Sequence, residues 1–327
     1  MAMAETGKHT ALVLGATGGI GGEVAATLLR RGWQVTALAR DPQGAGAPWT
    51  REGAGPDWIK GDAMDAASVR AAAAGAALIV HAVNPPGYRD WDKLVLPMLD
   101  NTIAAARASG ARILLPGTVY NFGPDAFADP SEDAPQNPRT RKGAIRVAME
   151  ARLRAASADG VPALIVRAGD FFGPHAANNW FSQGLVRPGR PVEAISYPGR
   201  RGVGHQWAYL PDVAETMVRL AERGEALGRF ETFHMEGHWD GDGTAMIAAI
   251  RTAVGREIKA KAFPWWLVTL ASPFVPTFRE LGEMRYLWNV PLHMGNRKLV
   301  ACLGEEPHTP LPRAVRDTLS GLGCLRG

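Results

Sequence analysis

In the stretch TRKGAIRVAME, Thr140 to Glu150, Lys142 and Arg146 stand four residues apart, just after the proline-rich run DAPQNP. That spacing puts both cations on one face of a helix, at its opening turn, where they form a pair able to hold a ligand. Much earlier, Gly15, Gly18 and Gly21 in GATGGIG have the spacing of a dinucleotide loop. The first glycine permits a sharp turn after a strand, the second lets backbone amides approach a pyrophosphate, and the third lets the next helix pack on the sheet. The N-terminus of that helix then offers free N–H groups and a positive dipole. A third signal closes VTALAR, where an NAD site carries an acidic residue for the ribose 2′-hydroxyl. Ala39 and Arg40 stand there instead. An arginine pairs with a 2′-phosphate, so NADP is the expected cofactor, with Asp41 as the alternative ribose partner. Two histidines four apart in HMEGH, His234 and His238, raise a metal site. Zinc proteases of that kind need a glutamate directly after the first histidine and a helix beneath both. Gly237 and the strand-like RFETF oppose this, so no metal is expected.

These groups need elements to position them. TALVLGATGGIGGEVAATLLRRG starts apolar, breaks into glycines and resumes with a helical pattern, so strand, tight turn and helix follow in order. WQVTALAR, DWIKGD, AALIVHAV, ARILLPG and PALIVRAG continue as strands. Helical patterns at DAASVRAAAAG and WDKLVLPMLDNTIAAARASG lie between them. Short apolar runs alternating with helices predict a parallel sheet covered on both faces, an α/β architecture. After Gly169 the rhythm loosens into a stretch rich in Gly, Pro, Asn and aromatics, suited to a pocket wall.

The chain of 327 residues is 46% hydrophobic and 21% charged, with 38 glycines and 24 prolines, which fits a globular enzyme-like protein. The net charge of +4 comes from scattered cations without interleaved aromatics, so nucleic acid is not an expected partner. Cys302 and Cys324 form no ligand or disulfide pattern, and the polar start MAMAETGKHT has no apolar signal core, so a cytoplasmic protein is expected. The most apolar segment, AFPWWLVTLASPFVPTF, is interrupted by Pro264, Pro273 and Pro276 and is short for a membrane span. No membrane partner is expected, and a buried or interface helix is predicted there.

Taken in order, GATGGIG, GDAMD (Gly61 to Asp65), VHAVN, VYNFGP, RAGDFFGP and HQWAYLPDVAE resemble the landmarks of the extended short-chain dehydrogenase/reductases, the NAD-dependent epimerase/dehydratase group. The resemblance runs over nearly the whole chain. It implies a Rossmann-type doubly wound parallel sheet with a smaller C-terminal α/β substrate domain. The dinucleotide domain then spans residues 1–169, with 205–235 returning to it, and residues 170–327 form mainly the substrate region. By the same resemblance Gly15, Thr17, Gly18, Gly19, Ile20 and Gly21 hold the pyrophosphate, and Asp62 and Ala63 meet the adenine. Val83 and Asn84 wall the nicotinamide ribose, with a helix cap as the alternative for Asp62. Asn84, Tyr88, Asp170, Phe171, Phe172, Asn179 and Trp180 are the expected substrate contacts.

The opening stretch departs from the family. Its members carry Tyr-x-x-x-Lys at the start of this helix; Gly143 and Glu150 fit the surrounding pattern, but Lys142 stands at the tyrosine position and Arg146 at the lysine position. An arginine holds a ribose yet keeps its proton, so another group must move the hydroxyl proton. Lys142 is the first candidate, since a lysine desolvated beside a second cation releases its proton more readily. Thr118 aligns with the family residue that polarises a substrate carbonyl. Tyr120, two residues on, shares its side of an extended chain and is a second proton source. The expected function is an NADP-dependent oxidoreductase reducing a carbonyl or activated double bond of a small organic substrate. The alternatives are a catalytically silent NADP-binding sensor or scaffold and a nucleotide-sugar epimerase or dehydratase. The resemblance also implies a homodimer, since helices Trp91 to Ser109 and Lys142 to Ala158 correspond to those through which relatives pair, and the first carries more apolar residues than one face needs.

Overall fold

The computed structural model describes residues 9–46, 49, 51, 53–85, 90–176, 179–274 and 276–325. In chain order the strands are β1 (Thr10–Leu14), β2 (Gln34–Ala39), β3 (Asp57–Lys60), β4 (Leu78–His81), β5 (Arg112–Gly117), β6 (Ala163–Arg167), β7 (Asp170–Phe172), β8 (Ala194–Tyr197), β9 (His205–Tyr209), β10 (Phe230–His234), β11 (His238–Asp240) and β12 (Lys259–Ala262). The helices are α1 (Gly19–Arg30), α2 (Pro42–Gly46), α3 (Ala66–Ala72), α4 (Trp91–Ser109), α5 (Arg141–Ala158), α6 (Leu210–Ala221), α7 (Ala245–Val254), α8 (Trp265–Ala271), α9 (Pro276–Glu283), α10 (Arg297–Leu303) and α11 (Leu311–Gly321).

Seven strands form one parallel sheet in the order β10-β6-β5-β4-β1-β2-β3. Its inner strands are apolar on both faces because helices cover both, and alternate residues serve the two layers. Val13, Val80, Leu114 and Leu164 join one core with Val24 and Leu28 of α1 and Val213 and Met217 of α6. Leu12, Leu14, Ile79, Ile113 and Ile165 join the other with Val69 of α3, Leu99 of α4 and Leu153 of α5. This is a Rossmann-type α/β fold. The order reverses between the neighbouring strands β1 and β4, and there the C-terminal strand ends leave a crevice for a ligand.

A smaller unit carries the sheets β11-β9-β7 and β12-β8. Its core gathers Phe172, Phe181, Trp207, Tyr209 and Trp288 with Met246 and Ile250 of α7 and Val315 and Leu319 of α11. Within residues 205–235, β9 belongs to this unit, whereas α6 packs on α1 and β10 edges the large sheet. A later return, α10, sets Leu299 into the large core against β10.

Candidate active site

A cleft of about 1130 Å³ opens at the C-terminal ends of β1, β2, β4 and β5 and runs toward the smaller unit. Its floor is the glycine loop. Gly15 has φ +91°, and a Cβ there would sit 2.5 Å from the Ala82 carbonyl oxygen. A Cβ at Gly21 would run into the Gly15 carbonyl oxygen. Gly18 N–H closes the turn onto that same oxygen at 2.9 Å. Gly18 is also the N-cap of α1, which has no side-chain cap and no acid in its first turn, so its amides and dipole are left for an anion. Thr17, Gly18, Gly19 and Ile20 line the cleft there, and Gly21 lies beneath them in the helix. The loop therefore fits a dinucleotide pyrophosphate.

Arg51, which no motif marks in the sequence, steadies this loop. Its guanidinium donates to the Gly18 and Gly19 carbonyls at 3.3 Å, lies over the Trp49 ring and pairs with the buried Glu23. Glu23 also meets His175 Nδ1 at 2.7 Å, tying the loop to the chain leaving β7.

At the end of β2 the neighbouring residues Arg40 and Asp41 both line the cleft. Asp41 accepts the Gly44 N–H at 3.2 Å, engaging its carboxylate in the turn into α2. Arg40 is exposed and makes no ion pair with a described residue, so its charge is available to a ligand. Asp62 accepts the Met64 N–H at 2.9 Å, while Asp65, not Asp62, caps α3 by accepting from Ala67 N. Asp62 and Ala63 therefore remain on the cleft wall. Val83 and Asn84 follow β4 onto the same wall, and Asn84 Oδ1 receives the Trp91 indole N–H. Tyr88 lies outside the described residues.

The residues expected to be catalytic gather where β5 and α5 meet. Thr140 caps α5, its hydroxyl accepting from Gly143 N at 3.0 Å, and this fixes the first turn that carries Lys142. Lys142 is 4% exposed and lines the cleft. Arg146, one turn on, lies with its guanidinium over the Trp91 ring and Nη1 3.5 Å from the Pro116 carbonyl oxygen. Thr118 and Tyr120 line the cleft as well, though for a different reason from extended-chain alternation: Val119–Asn121 is a 3-10 turn, and only Thr118 is extended.

Behind Thr118 runs a buried polar chain. Thr118 donates to Asn121 Oδ1 at 3.1 Å, and Asn121 Nδ2 donates to Glu150 Oε1 at 2.9 Å and to Gln136 at 3.0 Å. Glu150 is in turn paired with Arg167, whose Nη1 also reaches His234 Nε2 at 2.9 Å. The carboxylate accepts only, so it fixes the amide, and the amide turns the Thr118 proton away from the cleft. Thr118 thus shows lone pairs to the cleft and is an acceptor in this state. Burial, aided by Arg167, pushes the His234 imidazole down to about 3, consistent with a neutral ring accepting from the guanidinium. His81 also borders the cleft. Burial, with the Arg146 charge adding to it, pushes it down to about 3, and its Nδ1 contacts Thr102 at 2.8 Å.

On the substrate side Asp170, Phe171, Asn179 and Trp180 line the cleft. Asp170 Oδ2 is held by His205 Nε2 at 2.9 Å. Asn179 spends its amide on the turn, donating to Ala176 O and accepting from Ser182 N, so it offers a wall more than a free hydrogen bond. Phe172 is a correction: it is fully buried between Phe181, Trp207 and Tyr209, its ring taken up by the aromatic core of the smaller unit. Trp91, Gln183, Leu281 and Met284 also line the cleft; their contribution arises from distant segments, and no local motif marks them. His234 ends β10 and His238 begins β11, so the two histidines share no helix.

A family model for the NAD dependent epimerase/dehydratase family matches residues 11–235. The chain belongs to that family. Its members are typically oxidoreductases or epimerases of the short-chain dehydrogenase/reductase superfamily. Among curated proteins, an uncharacterized protein, y4nL, of Sinorhizobium fredii is 30% identical over 240 residues, covering 66% of this chain and 65% of that protein. The chain thus spans just under two thirds of that relative's length. Cinnamoyl-CoA reductase 1 of Oryza sativa subsp. japonica is 27% identical over 331 residues, covering 93% of each. UDP-glucose 4-epimerase from Brucella ovis in complex with NAD superposes with TM-score 0.75 at 15% identity, covering 96% of this chain and 98% of that one. UDP-glucuronic acid 4-epimerase from Bacillus cereus, in complex with UDP-glucuronic acid and NAD, gives 0.72 at 15%, with the same coverage. At such identities the likeness is one of fold.

Proposed function

We propose that this chain is an NADP-dependent reductase acting on a carbonyl or activated double bond of a small organic substrate, with Lys142 supplying the proton and Arg146 holding the nicotinamide ribose. The observation that carries this reading is Lys142 itself, buried on the cleft wall one helical turn from Arg146, where family members place a tyrosine. When bound, the dinucleotide supplies hydride chemistry at its nicotinamide ring. The chain's own residues do the rest. The glycine loop and the α1 amides hold the pyrophosphate, Arg40 meets the 2′-phosphate, and Asp62 borders the adenine. Thr118, its own proton turned toward Asn121, offers lone pairs to a donor in the cleft, and that donor is the Lys142 ammonium or a substrate hydroxyl. The likeness to a cinnamoyl-CoA reductase across nearly the whole chain favours reduction over epimerisation.

The test is consumption of NADPH, followed by its absorbance, against panels of aldehydes, ketones and enones. Turnover with at least one class is expected. Tight NADPH binding without turnover in any class favours the silent sensor instead, with Lys142 and Arg146 as ligand-holding groups.

A further inference from the structure

The segment expected to be a buried or interface helix has its apolar side turned to solvent. On α8 and the turn after it, Trp266 is 70% exposed, Leu267 42%, Leu270 67% and Phe274 85%. The helix is nonetheless firmly seated by its other side: Val268 is buried, and the Trp265 indole donates to the Pro198 carbonyl at 2.8 Å. A surface helix of a globular protein shows the reverse polarity. Four cations lie on the elements that flank the helix. Lys259 and Lys261 lead into it from β12, Arg279 lies on α9, which packs against α8, and the Arg285 guanidinium sits over the Trp265 ring. All four are exposed, and none forms an ion pair with a described residue. From Ile258 to Arg279 the sequence has three cations and no acid; Glu280 and Glu283 come next.

We propose that α8, its following turn and the adjoining edge of α9 form a docking face for an anionic lipid surface. Trp266, Leu267, Leu270 and Phe274 enter the boundary between headgroups and acyl chains, while Lys259, Lys261, Arg279 and Arg285 meet lipid phosphates and carboxylates. This is a protein lying on a membrane; no helix among the described residues is long and apolar enough to cross one. A second copy of the chain fits the face less well, since a two-fold contact through it would set these cations against themselves. The position also has a consequence for the cleft. Leu281 on α9 and Met284 just after it line the cleft wall, so docking would place the cleft beside the lipid. The proposal is independent of the cofactor and of the reaction.

The experiment is flotation of the full chain with vesicles of phosphatidylcholine alone and of phosphatidylcholine mixed with phosphatidylserine. At least about tenfold stronger partitioning onto the serine-containing vesicles is expected, falling with added salt. Trp266→Ser combined with Phe274→Ser should reduce that partitioning about tenfold or more while NADPH affinity, thermal unfolding and solution mass stay unchanged. Lys259→Glu with Lys261→Glu should remove the preference for the anionic vesicles. The proposal is overturned if the wild type floats with neither vesicle, or if the Trp266/Phe274 double variant floats as the wild type does. It is equally overturned if that variant changes the solution mass, which would mean that another copy covers the face.

Discussion

Arg40 and Asp41 stand side by side at the end of β2, and their surroundings divide the ribose question between them. Asp41 is turned into the start of α2, and Arg40 lines the cleft, exposed and without an ion pair to a described residue. NADPH should therefore bind about tenfold or more tightly than NADH, the scale of one charge-assisted hydrogen bond, and Arg40→Ala should erase the difference by weakening NADPH alone. Equal titration curves for the two cofactors in the wild type would refute this. A second prediction concerns pH. Burial holds His81 and His234 down to about 3 and His238 down to about 4, so these rings stay neutral in the fold but take up protons near pH 6.5 once unfolded. Below that value the unfolded chain binds more protons than the native one. The stabilisation is complete above about pH 6.5 and is lost as the pH falls toward 4, at about 1.4 kcal/mol per pH unit for each such histidine. Chemical denaturation between pH 7 and pH 4 measures it, and a flat profile would contradict it.

At the scale of elements, the glycine loop was legible because its requirements are local. A strand, three glycines and a helix within a dozen residues specify their own geometry, and Gly15 and Gly21 do sit where a side chain has no room. Gly21→Ala would force its methyl into the Gly15 carbonyl, so cofactor affinity should fall by about tenfold or more while the sheet still forms; unchanged affinity by titration would show that the loop is not the cradle. The six strands expected from Ala11 to Gly169 are present, and most are legible for the same reason, since buried parallel strands announce themselves as apolar runs, whereas β3 is a half-exposed edge strand. What the sequence does not reveal is pairing at a distance. Asn121, Glu150 and Arg167 come from a turn, a helix and a strand, and nothing local tells that they converge behind Thr118. Phe171 and Phe172 are likewise indistinguishable by type, and only the register of β7 with β9 decides which meets the cleft. Arg51 reaches the loop across more than thirty residues of chain, beyond the range of any motif.

For the whole molecule, the surplus of apolar residues on α4 proves to be spent inward: Trp91, Val95, Leu99 and Ile103 are buried, and Leu94 and Met98 line the cleft. The outer ridge of α4 and α5 is instead laced by Arg141–Asp92 and Arg152–Asp100 pairs. A homodimer through these helices, which we propose as the assembly, would thus be polar and salt-sensitive. Light scattering at micromolar concentration should give twice 34.9 kDa at low salt and a lower mass at high salt. A mass of one chain at low salt would refute it. The central claim, that Lys142 carries the proton and Arg146 the cofactor, meets its most direct test in the Lys142→Met protein assayed for both NADPH affinity and turnover on whichever carbonyl or enone substrate the wild type accepts. NADPH affinity within about twofold of the wild type, with turnover cut by about a hundredfold or more, is the predicted result. Wild-type turnover in Lys142→Met would contradict it and move the proton source to Tyr120 or to a water held by Thr118.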